Sequence, residues 1–210
     1  MNELVRVQQL GQQEYSSILH KLKEFTRDRS KDTPDEIWLL EHDPVFTQGQ
    51  AGKPEHIISP GNIPIVQSDR GGQVTYHGPG QLIVYLLIDL QRKHINIRDF
   101  ITLIEQSVIE LLANYGIKAT TKDNAPGVYV EQAKICSLGL RVRNSRTYHG
   151  LSLNVDMDLE PFTLINPCGY TDMKMVQVSD LGGPTSVNKL GEQLLAILTS
   201  KLGYKGTVRE

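Results

Sequence analysis

Apolar positions along the chain fall into two rhythms, one helical and one alternating. After Gly11, Tyr15, Ile18, Leu19, Leu22 and Phe25 recur every three or four residues with Gln, Lys and Glu between them, which predicts an amphipathic helix packed on a sheet. Residues 96–115 carry the longest such stripe, through Ile97, Phe100, Ile101, Ile104, Val108, Leu111, Leu112 and Tyr115, with Asn96 placed to cap its start and Gly116 to end it. Val187, Leu190, Leu194, Ile197 and Leu198 mark a third helix between Ser186 and Gly203. Shorter apolar or alternating runs at 37–40, 81–89, 127–131, 134–142 and 151–155 read as strands. Gly, Pro and Asn punctuate them at 49–61, 71–80 and 124–127. Strands outnumber helices and do not alternate strictly with them, so the pattern predicts an α+β fold, a mixed or antiparallel sheet flanked by helices. Neither an internal repeat nor a Pro/Gly-rich linker divides residues 1–210, which are expected to form one domain.

At 210 residues the chain can bury a core without disulfides or metals. A formal charge of -2 supplies no global field to attract nucleic acid or an anionic membrane. Residues 1–10 mix Asn, Glu, Arg and Gln with their apolar positions, unlike a signal peptide. The most apolar run, 82–90, is far shorter than the roughly 20 residues needed to span a bilayer and contains Asp89. A cytoplasmic protein with no nucleic-acid or membrane partner is expected. The two cysteines, Cys136 and Cys168, form no disulfide framework, so each is judged as a thiol.

Cys168 stands in Asn166-Pro167-Cys168-Gly169, where Pro167 disfavours helix before it and Gly169 permits a sharp turn, a setting that presents sulfur on a loop. A thiol with an ordinary pKa near 8.5 is only slightly ionised at neutral pH, so a nucleophilic one needs a base or a positive neighbour. Lys134 is a candidate partner. In Lys134-Ile135-Cys136-Ser137-Leu138-Gly139-Leu140 its parity matches the apolar positions, and burial of a lysine disfavours its ammonium form. An equal alternative is a strand-end lysine reaching out to water. The segment Arg70-Gly71-Gly72-Gln73-Val74-Thr75-Tyr76-His77-Gly78-Pro79-Gly80-Gln81 suits close backbone approach. It has neither the Lys-Ser/Thr ending of a phosphate loop nor a dinucleotide fingerprint, and on its own reads as a hairpin connection. The six histidines, 20, 42, 56, 77, 94 and 149, show no metal-ligand spacing, so neither a metal nor another cofactor is expected. His77 and His149, beside glycines, could line a site or simply hydrogen-bond within turns. Arg141, Arg143 and Arg146 make a local basic cluster in a slightly acidic chain, either a landing patch for an acidic partner or a solvated strand face.

Four motifs in order, the 70–81 segment, Lys134-Ile135 with Leu138-Gly139, His149-Gly150 with Leu153-Asn154-Val155, and Asn166-Pro167-Cys168-Gly169, together resemble the lipoyl(octanoyl) transferase family. The resemblance begins near Glu41-His42-Asp43-Pro44-Val45-Phe46-Thr47 and runs to Gly169. It implies a fold similar to the catalytic domains of biotin and lipoate protein ligases. It further implies transfer of an octanoyl group from octanoyl-acyl carrier protein to a lysine of lipoyl domains, those of 2-oxoacid dehydrogenases and the glycine cleavage H protein. By the same resemblance Cys168 is the acyl-thioester nucleophile and Lys134 the lysine that activates it. Arg70-Gly71-Gly72-Gln73-Val74-Thr75-Tyr76-His77, Ser137-Leu138-Gly139 and Gly150-Leu151-Ser152 are the pocket walls. Two alternatives stand beside it: an ATP-dependent lipoate or biotin ligase on the same fold, which would need no nucleophilic cysteine, and a non-catalytic module that binds carrier domains.

Overall fold

The computed structural model describes residues 4–167 and 173–209. The helix predicted after Gly11 is α1, Tyr15–Asp28. The stripe that begins at Ile97 is α2, Ile97–Ala113, with the Asn96 side chain accepting from the Asp99 amide at 2.9 Å. The third helix is α3, Val187–Lys201, capped by Ser186 on the Lys189 amide. Gly116 and Gly203 follow the last two helices with positive φ.

The main sheet is built from β1 (Leu4–Gln13), β2 (Glu36–His42), β6 (Gln81–Leu87), β7 (Gly127–Val130), β8 (Ala133–Leu138), β11 (Gly150–Asn154) and β12 (Gly206–Arg209), in the order β12-β1-β2-β6-β11-β8-β7. Its β12, β1 and β2 edge is parallel and the rest antiparallel, a mixed sheet in an α+β fold. β6 lies at the centre and is buried on both faces, which is why 82–88 is apolar without alternation. Leu82, Val84 and Leu86 face α2 and α3 together with Ile37 and Leu39, while Ile83, Tyr85 and Leu87 face Ile18 and Leu22 of α1 together with Trp38 and Leu40.

A second sheet joins β3 (Val45–Gln48) to β4 (Ile65–Gln67) and β5 (Val74–His77), and β9 (Arg141–Arg143) pairs with β10 (Arg146–Tyr148) as a hairpin. The glycine-bearing 70–81 segment is therefore not a plain hairpin connection. Its strand β5 pairs with β3 in the small sheet, and the turn at 78–80 hands the chain to β6 in the large one. The strand expected over 134–142 is divided after Leu138, because the carbonyl of Leu140 is taken by the amide of Gly71. Among the described residues no helix is long and apolar enough to cross a membrane.

Candidate active site

The three glycine-bearing segments meet at one pocket. β8 and β11 run antiparallel with Leu138 opposite Leu151 and Ser137 opposite Ser152, and the Gly139 amide donates to the Gly150 carbonyl at 2.9 Å. Gly150 has to be glycine, since a β-carbon there would lie 1.9 Å from the Val84 carbonyl oxygen. The 70–77 segment closes the third wall. Arg70, Gly72, Gln73, Val74, Thr75 and His77 face Ser137, Leu138, Gly139, Gly150, Leu151 and Ser152 across the pocket. Gly71 lines the adjoining cleft instead. Tyr76 points the other way, its ring 5.5 Å from those of Phe46 and Phe162. Sequence reasoning missed the far end of the pocket, where Tyr15, Ile83 and Tyr85 join His149.

Arg70 braces this wall. Its guanidinium donates to the carbonyls of Thr47, Gln73 and Gly71 at 2.6, 2.6 and 2.8 Å and to Thr47 Oγ1 at 3.0 Å, which pins the glycine loop around it. The far end is polar yet electrically quiet. His42 Nδ1 donates to the Gln13 carbonyl at 2.9 Å, so its Nε2 accepts from the Tyr85 hydroxyl at 2.7 Å. Burial holds His42 at about 4. His77 is driven well below the usual imidazole range by burial and by nearby His42 and Arg70, and burial also lowers His149 although Asp69 opposes it. His149 Nε2 donates to Asp69 at 2.9 Å, and Asp69 also takes the Tyr148 hydroxyl at 2.6 Å. At neutral pH all three imidazoles are uncharged, because burial disfavours their cations.

Gly72, Gln73, Leu138 and Gly139 line both this pocket and a neighbouring cleft of roughly 400 Å³, at whose other side lies Lys134. Only 2% exposed, Lys134 does not reach out to water. Its Nζ donates to the Pro126 carbonyl at 3.3 Å and lies 5.2 Å from the centre of the Tyr129 ring. Glu105, on α2, supports this arrangement from behind by accepting from the Gly127 amide at 2.8 Å. Burial raises its carboxyl pKa against the pull of that amide and of Lys134. The backbone of Lys134 is tied to chain that follows Cys168: its amide donates to the Lys174 carbonyl at 2.8 Å and its carbonyl accepts from Val176 at 3.1 Å. Cys168 itself lies outside the described residues. Cys136 is fully buried, and burial pushes its thiol far above the ordinary range.

The basic cluster is smaller than the sequence suggests. Arg146 turns onto its own fold, with Nε 3.3 Å from Asp89 and Nη1 donating to the Arg29 carbonyl at 2.7 Å: it pairs with Arg143 beside the hairpin turn, and its strand bridges to Asp89 there. Arg141 bonds Gln50 and Arg143 is exposed near the hairpin tip.

Residues 19–199 match the family model of the lipoyl protein ligase A/B catalytic domain. The chain belongs to this family. A relative named octanoyltransferase, from Shewanella oneidensis, is 56% identical over 99% of this chain and 95% of its own length. Another of the same name, from Vibrio vulnificus, is 57% identical over 97% of this chain and 93% of its own. Among solved structures, a lipoate-protein ligase A bound with ATP superposes with a TM-score of 0.80 at 16% identity, covering 99% of this chain and 90% of that one. At that identity the likeness concerns the fold, which matches the ligase-like α+β architecture expected from the sequence.

Proposed function

We propose that the chain is an acyltransferase that moves an octanoyl group from octanoyl-acyl carrier protein to a specific lysine of lipoyl domains, in the cytoplasm and as a single domain. The observation that carries this reading is the naming of relatives as octanoyltransferases at 56% identity over nearly the whole chain. The pocket and the cleft beside it, which share four lining residues and reach buried Lys134 next to chain that continues from Cys168, accord with it.

In this reading Lys134 takes the Cys168 thiol proton and the thiolate attacks the donor thioester carbonyl; a new carbon–sulfur bond forms as the carrier's breaks, and Lys134, neutral again, has passed the proton to the departing sulfur, so the carrier leaves as its thiol. The acceptor lysine then attacks the acyl-enzyme. An amide forms, the Cys168 thioester breaks, and neutral Lys134 takes the amine proton and returns it to the departing sulfur. The donor thioester already holds the activation that a free acid would need ATP to acquire. Acceptors are the lipoyl domains of 2-oxoacid dehydrogenases and the glycine cleavage H protein.

Intact-protein mass spectrometry after mixing with octanoyl-carrier tests the proposal: one octanoyl group on wild type, and none on Cys168→Ser. Product from free octanoate and ATP with an acceptor domain, without the carrier, would instead identify a ligase.

A further inference from the structure

Five buried side chains from four strands and a loop form one directional line of hydrogen bonds. Arg70 Nε donates to Thr47 Oγ1 at 3.0 Å, and Thr47 Oγ1 lies 3.2 Å from His77 Nε2. His77 Nδ1 lies 2.7 Å from Gln81 Oε1. Gln81 Nε2 donates to Asn154 Oδ1 at 2.9 Å, and weakly to the Tyr76 carbonyl at 3.4 Å. Asn154 Nδ2 donates to the Val176 carbonyl at 3.1 Å. The carbonyl end fixes the polarity, since a backbone carbonyl can only accept and a neutral imidazole carries one proton, and the Arg70 end agrees with it, since a hydroxyl can accept there while donating elsewhere. Thr47 therefore donates to His77 Nε2, His77 carries its proton on Nδ1, and both amides have one permitted orientation. No member is more than 8% exposed, so reversing one link leaves like atoms facing each other away from water.

The line ends on the segment that flanks Lys134. Besides the Asn154 side chain, this segment is held by the Val178 amide on the Asn154 carbonyl at 3.1 Å and by the two backbone bonds to Lys134. Resting on the function proposed above, we infer that Asn154 and Gln81 are positioning residues. They lock residues 174–178 between β8 and β11, and so set where Lys134 stands relative to the chain that carries Cys168.

Asn154→Asp tests this by leaving two acceptors face to face at Val176. The expected result is at least a tenfold slower acylation from octanoyl-carrier, a KM for the carrier within twofold of wild type, and a higher pH midpoint for alkylation of Cys168. The deficit should shrink as pH falls, because the introduced carboxyl can donate again once it is protonated. Gln81→Glu touches neither Val176 nor Lys134, yet it should reproduce the defect by turning the Asn154 amide over, and the double variant should be no worse than either single one. Alkylation and acylation indistinguishable from wild type in folded Asn154→Asp or Gln81→Glu overturn the inference. If both variants fail to fold, amide hydrogen exchange on wild type decides it. Val176 and Val178 protected like β11 support it, and exchange at loop rates overturns it. A wild type that takes up no octanoyl group would sink the functional reading instead, so the two failures are distinct.

Discussion

A β-carbon on Gly127 would lie 2.8 Å from Cε of Lys134 and 3.2 Å from its Nζ, so the absent side chain of one residue is the space that holds the other. Gly127 also adopts φ +143, which other L residues rarely adopt. Gly127→Ala should displace the lysine and strain the turn, by about 1–3 kcal/mol. Acyl transfer is expected to fall at least tenfold, with a melting temperature lowered by several degrees. Wild-type rates in this variant would show that the lysine's placement does not matter.

If Lys134 serves Cys168 as proposed, Lys134→Ala removes a base and a positive neighbour together, whereas Lys134→Arg keeps a charge that cannot be given up at working pH. Alkylation of Cys168 should need higher pH in the alanine variant than in wild type, and neither variant should recover transfer to the acceptor lysine. Buried Cys136 is not expected to react, so Cys136→Ser keeps most of the turnover. Superimposable alkylation profiles in wild type and Lys134→Ala would dissolve the pair.

His42 sits at about 4, against an ordinary 6.5, because burial disfavours its cation. The unfolded chain binds this proton more readily. The stability linked to neutral His42 is therefore complete above about pH 6.5 and is lost as pH falls from there towards 4, to a total of roughly 3 kcal/mol. Urea unfolding at a series of pH values should show a smaller acid-side loss in His42→Gln than in wild type, and parallel curves would refute it.

If the arginine cluster is a landing patch for an acidic carrier, Arg141 and Arg143 are the residues left to form it, since Arg146 belongs to the fold through Asp89. Reversing both to Glu should raise the KM for octanoyl-carrier several-fold with little change in kcat. The difference should shrink with added salt, since exposed charges act mainly on association and are screened within about 8 Å at physiological ionic strength. Arg146→Glu should instead lower the melting temperature. An unchanged KM at low salt in the double reversal would leave these arginines as ordinary solubilising charge.

Local pattern alone was enough for the three helices, their caps at Asn96 and Ser186, and the central strand β6, because each is written in neighbouring residues: a 3.6-residue stripe, a cap three positions before its amide, an unbroken apolar run. The segments that line the pocket were picked out only by the resemblance to the family, because the 70–81 run by itself reads as a hairpin connection. Other features depended on contacts between residues far apart in sequence. β1 hides its alternation among glutamines, and only its pairing with β2 and β12 makes it a strand. The break between β8 and β9 comes from Gly71 reaching Leu140, and the burial of Lys134 from Gly127, Pro126 and the 174–176 segment closing around it. Thr47, Gln81 and Asn154 carry no motif of their own. A hydrogen-bond line acquires its direction only when its members are brought into sequence in space, and that is decided by the packing of the sheets.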